Sequence, residues 1–161
     1  MVHNLDAAMR QLRHGRFGVY GPFVRERVLD GLFGEEITPT AYRVLRFVEA
    51  STPPAPTLSD IAALLLTDRA RAVRVVDRLS ADGLVTRVHD TVDRRVRRVA
   101  LTDTARGHLA LATARRSRLL GEAVSDWPDE DVELLASLLI RLNDSVARHL
   151  PSAAPREKPW N

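Results

Sequence analysis

No cysteine occurs among the 161 residues, which excludes disulfides, zinc–thiolate clusters, thiolate nucleophiles and thiol-based redox sensing. Lysine is almost as scarce, with Lys158 standing alone against 23 arginines. Codon bias in a GC-rich genome explains that ratio as well as a demand for guanidinium does. Long apolar runs are missing too. The longest, at 61–66, and the stretch 134–140, which only Ser137 interrupts, fall far short of the roughly 20 residues that a bilayer span needs. The opening MVHNLDAAMR carries charge and lacks the apolar centre of a signal peptide. A soluble cytoplasmic protein is expected.

Catalytic signatures are equally absent. GxSxG, Walker and HExxH sequences do not occur, and the glycines at 15, 18 and 21 neither follow a strand nor keep dinucleotide-binding spacing. The five histidines, His3, His14, His89, His108 and His149, are scattered without an i, i+4 pair. Neither an enzyme nor a metal or cofactor site is expected.

What is present is ordinary globular material, 45% apolar and 28% charged, enough for one compact domain. Its charge is unevenly placed. Residues 67–101 hold nine arginines and five aspartates, whereas the remainder has 15 basic and 16 acidic residues. The net +3 therefore arises from one stretch, as on a nucleic-acid contact surface set in a near-neutral body.

Leu5, Ala8, Met9 and Leu12 have helical spacing, but Gly15, Gly18, Gly21 and Pro22 then break the helix. A second helical piece over 23–33 ends near Gly34. Thr38-Pro39 reads as a cap followed by a first-turn proline, opening a helix that buries Tyr42, Leu45 and Val48, with Phe47 as a further candidate for that face. Three prolines in 51–56 (STPPAP) exclude helix there. Thr57 and Asp60 form a capping box ahead of Ile61, Leu64 and Leu65. The next helix starts at Thr67-Asp68 and stops at Asp82-Gly83.

Residues 84–89 and 96–101 are rich in β-branched side chains and flank a polar link over 90–95, a hairpin signature. Thr102-Asp103 begins a long helix, and Pro128 opens a last one. The tail after Pro151 reads as disordered. The fold class is mainly α with a small β-hairpin: two helices, a short turn and a hairpin, which is a winged helix-turn-helix.

At about 100° per residue, Ala72, Val75, Val76 and Leu79 form one apolar stripe on the helix after Asp68. Opposite or flanking them lie Arg69, Ala70, Arg71, Val73, Arg74, Asp77 and Arg78. Such a helix fits a major groove about 12 Å wide. Arg71 and Arg74 either read guanine edges or hold phosphates, and Val73 is placed for a thymine methyl. A solvated face with incidental arginines is the plainer alternative. The hairpin speaks against it, carrying Arg87, Arg94, Arg95, Arg97 and Arg98 against Asp90 and Asp93. Arginines at such a tip are placed for an adjacent minor groove, where narrow A·T-rich geometry concentrates negative potential. Asp93 is expected to orient the Arg95 guanidinium.

The stretch LLTDRARAVRVVDRLSADGLVTRVHDTVDRRVRRVALTDTARGHL resembles the DNA-binding core of the MarR family of bacterial transcription regulators. The resemblance rests on Val76-Asp77-Arg78-Leu79 with Gly83-Leu84-Val85, the wing Asp93-Arg94-Arg95 and Leu101-Thr102. Ile37-Thr38-Pro39 and Leu58-Ser59-Asp60-Ile61-Ala62 extend it upstream. Where the family often has small hydroxyl residues, Ala70, Arg71 and Val73 stand here, so an operator sequence does not transfer.

The resemblance implies an N-terminal dimerisation segment over 1–36 and a DNA-binding lobe over 37–102. Dimerisation helices over 103–150 and the tail over 151–161 follow. It also implies a homodimer on a pseudo-palindromic operator of double-stranded DNA. The apolar stripe Leu135, Leu138, Leu139, Leu142 and Val146 agrees, being more apolar surface than one solvent-facing helix carries. A repressor released by a small aromatic or phenolic effector is the family behaviour, with Arg13, His14, Arg16, Tyr20, Tyr42 and Arg46 as candidate contacts. The alternative is a constitutive or architectural DNA-binding protein without an effector.

Overall fold

The computed structural model describes residues 25–33 and 37–149. The first helix of the lobe, α1 (Pro39–Ala50), starts where a proline costs nothing: its missing N–H has no partner in a first turn. The Thr38 hydroxyl accepts the Ala41 N–H at 3.1 Å. Tyr42, Val44, Leu45 and Val48 are buried, while Phe47 is only half-buried. The proline-rich segment follows without helix, as its composition requires.

In α2 (Leu58–Leu65) the capping box is complete. Thr57 accepts the Asp60 N–H, and the Asp60 carboxylate accepts the Thr57 N–H at 2.8 Å. The far end of α2 is less predictable. Leu66 takes a left-handed conformation, φ 52°, while the Leu66 N–H donates to the Ala63 carbonyl and the Thr67 N–H to that of Ala62, each at 3.1 Å. This Schellman closure normally uses glycine, and a branched side chain there costs about 1–2 kcal/mol. The Leu66 side chain is 90% exposed.

Asp68 caps α3 (Arg69–Ala81), which buries Ala72, Val76 and Leu79. A second Schellman closure ends it: Gly83 at φ +69° donates to Ser80, and Leu84 donates to Leu79. Strand β1 (Val85–His89) then pairs antiparallel with β2 (Arg97–Leu101), in the register Val85↔Leu101, Arg87↔Val99 and His89↔Arg97. The Val99 N–H donates to the Pro56 carbonyl at 2.8 Å, so the segment before α2 adds a one-residue bridge to the hairpin.

Thr102 caps α4 (Asp103–Ala123) by accepting the Ala105 N–H, and its hydroxyl donates to the Gly83 carbonyl at 2.8 Å. The chain divides within α4 into two compact units, after Ser117. Ala105, Leu109 and Ala112 join the core of the first unit. In place of a regular helix over 23–33, the described part holds a π-helical segment, Arg25–Leu29, followed by turns. It contributes Val28 and leads to Leu32 and Phe33, all three buried. Arg115 holds it by donating to the Asp30 carbonyl at 2.7 Å.

In the second unit, α5 (Asp129–His149) carries Asp129, Glu130 and Asp131 in its first turn and Arg148 and His149 in its last, each sign matching the helix dipole. None of its residues is buried. No described helix is long and apolar enough to cross a membrane.

Candidate nucleic-acid interface

Helix α3 turns its apolar stripe inward and thereby fixes which side chains face out. Arg69, Ala70, Arg71, Arg74, Asp77 and Arg78 are exposed. Val73, expected to be free for a methyl contact, is half-buried on the flank of the stripe. The Asp68 carboxyl is held below its ordinary range, first by the Arg71 N–H it accepts at 2.8 Å. Burial opposes the shift, and the nearby Arg74 charge adds to it.

Two arginines of this region are engaged within the protein. Arg78 pairs with Asp82 at 3.1 Å, one turn on. Arg87 of β1 reaches back to Asp77 of α3 at 2.5 Å, tying hairpin to helix. Among the described residues, Arg71 and Arg74 have no carboxylate partner.

The hairpin tip is organised by Asp90, the one buried charged residue among those described. Its Oδ1 accepts the N–H groups of Val92 and Asp93 at 2.8 and 2.9 Å, and its Oδ2 accepts from Arg98 Nε. Arg98 also donates to the Ala55 carbonyl at 2.6 Å, anchoring the tip to the proline-rich segment. The Asp93 N–H, then the Arg98 guanidinium and the Val92 N–H, pull the Asp90 carboxyl down to about 2.

Asp93 behaves otherwise than expected. It accepts the Arg95 backbone N–H at 2.9 Å, so it shapes the turn and does not steer the guanidinium. Arg94, Arg95 and Arg97 remain exposed. Arg98, which the sequence places among the hairpin arginines suited to a minor groove, instead turns onto Asp90 and the Ala55 carbonyl. The available signal was the aspartate opening the loop, a residue type that accepts N–H groups two and three positions on.

This geometry has a pH signature. A carboxyl lowered in the folded state adds stability that is complete above its unfolded value of 3.8 and vanishes as pH falls through about 2. In urea unfolding, Asp90→Asn should be the less stable protein at neutral pH, with the gap closing over that acid window. A gap independent of pH would remove Asp90 from this role.

Of the expected effector contacts, Arg13, His14, Arg16 and Tyr20 lie outside the described residues, as does the tail over 151–161. Tyr42 is buried with its ring edge-on to Phe33, centroids 5.9 Å apart. Arg46 donates to the Thr113 hydroxyl at 3.1 Å and pairs with Glu49 at 2.7 Å. Phe33 also meets His108 edge-on at 5.3 Å. His108 Nδ1 and Arg116 Nη2 are buried without a hydrogen-bond partner. No cluster of described residues is suited to a metal ion.

Residues 36–96 match the model of the MarR family. Among solved structures, the chain is similar to the transcriptional regulator Tm0710 from Thermotoga maritima, at 23% identity and TM-score 0.67 over 92% of this chain and 97% of that one. A MarR family protein from Bacillus stearothermophilus superposes with TM-score 0.71 at 20% identity, over 91% and 95%. An S. aureus MepR mutant bound to an oligodeoxyribonucleotide gives TM-score 0.56 at 18% identity, over 91% and 98%. The capped helices, the arginine-bearing α3 and the first strand of the hairpin thus lie in the segment that matches the MarR family model, and the chain shares the fold of these proteins.

Proposed function

We propose that this protein is a transcriptional regulator that binds DNA sequence-specifically as a homodimer, and that it is a repressor released by a small aromatic or phenolic effector. One observation carries the DNA reading. Helix α3 is locked by Ala72, Val76 and Leu79 and presents Arg71 and Arg74 beside a hairpin whose Arg94, Arg95 and Arg97 are exposed. The helix suits a major groove and the tip the neighbouring minor groove. The related MepR structure with an oligodeoxyribonucleotide supports the same use of the fold.

Dimerisation rests on α5, whose Leu135, Leu138, Leu139 and Val146 are all at least 40% exposed. A two-fold dimer reads a pseudo-palindrome with half-sites about one helical turn apart. The effector reading draws on the aromatic edge contacts of Phe33 with Tyr42 and His108. It also draws on the unpartnered polar atoms of His108 and Arg116, because buried unsatisfied groups are costly unless something binds them.

Discrimination between sequences is the test. Tighter binding to the promoter DNA beside its own gene than to a scrambled duplex supports regulation. Equal binding to both favours the architectural alternative.

A further inference from the structure

A second basic feature lies beside α3, and the reading of the arginine face does not use it. A cleft of about 370 Å³ opens between the start of α1 and the α2–α3 turn, lined among others by Thr40, Arg43, Leu66, Thr67 and Arg71. Its two arginines come from different helices, and two threonines line it with them. No carboxylate is among the described lining residues, and among the described residues neither arginine is in an ion pair. Two like charges that line one cleft without an ion-pair partner repel, and an anion between them relieves that repulsion while accepting charge-assisted hydrogen bonds.

Resting on the DNA-binding reading, we propose that this cleft is a phosphate clamp for the DNA backbone, held by Arg43 and Arg71. Arg71 supplies the reason for choosing DNA over a free anion. It lines the cleft and also stands on the exposed face of α3, so an anion in the cleft is continuous with whatever polymer lies along that helix. The assignment also divides labour between two arginines of α3. Arg71 is drawn to the backbone beside Arg43, and Arg74 is left to read a base. The clamp then fixes register without carrying sequence information, as phosphate contacts do.

The test is the salt dependence of duplex binding by the full-length protein, followed by fluorescence anisotropy. Arg43→Ala should weaken binding to a promoter duplex and to a scrambled duplex by the same factor. It should also make the slope of log K against log salt shallower by about 1 per altered subunit. Arg43→Lys should keep most of the slope. Arg43 is exposed, so the thermal unfolding midpoint should stay in place and exclude misfolding as the cause.

An unchanged slope overturns the clamp, whatever the affinity. So does a loss confined to one sequence, which would make Arg43 a base reader. Failure of the unaltered protein to bind either duplex overturns the DNA reading and the clamp together, and is distinguishable from the other results because it needs no variant.

Discussion

Arg95→Ala should weaken duplex binding severely while the dimer stays intact. Arg95 is exposed at the hairpin tip, and the turn that presents it is held from within by Asp90 and Asp93. Removing the side chain therefore deletes a contact without loosening its support. A hydrogen bond to a charged group contributes about 1.5–3 kcal/mol. With one such arginine per subunit, the loss for a two-fold complex is about a hundredfold or more.

Arg74→Ala is expected to act differently. If Arg74 reads a base, the loss is about 1–3 kcal/mol at one position and sequence preference shifts with it. Anisotropy titrations of both variants on matched and scrambled duplexes separate the two effects. Unchanged affinity in both would remove α3 and the wing from the DNA surface.

The second large effect concerns α5. Leu139 lies within the exposed apolar stripe of that helix, between Leu135 and Leu142 in the helical repeat. Leu139→Glu places a charge where a dimer would bury methyl groups, and an unpaired buried charge is strongly disfavoured. Sedimentation should show monomers. Duplex affinity should fall by about 10²–10⁴, because two linked half-site contacts become one. The first unit should remain folded, since its core of Leu45, Ile61, Leu79 and Leu109 lies elsewhere in the chain. A stable dimer in this variant would place the interface elsewhere.

Most helix boundaries were readable because their signals are local. Thr38-Pro39, the Thr57–Asp60 box, Asp68 and Gly83 each act within four residues, and each appears where its chemistry puts it. The inward stripe of α3 was legible for the same reason.

What escaped the sequence depends on distant partners. Arg98 is drawn inward by the Ala55 carbonyl, 43 positions away, and strand alternation alone gives no sign of that. Arg87 meets Asp77 only because the hairpin folds back on α3. Leu66 reads as the last apolar residue of a helix, yet it is the left-handed residue that ends it. The cleft between Arg43 and Arg71 joins residues of two helices and has no signature along the chain.

The most direct test of sequence-specific regulation is anisotropy binding to the promoter beside its own gene, set against a scrambled duplex at about 150 mM salt. A preference of about 10³-fold or more is expected, the lower bound typical of specific DNA-binding proteins. Equal, salt-labile binding to the two duplexes, or binding to neither, would contradict it.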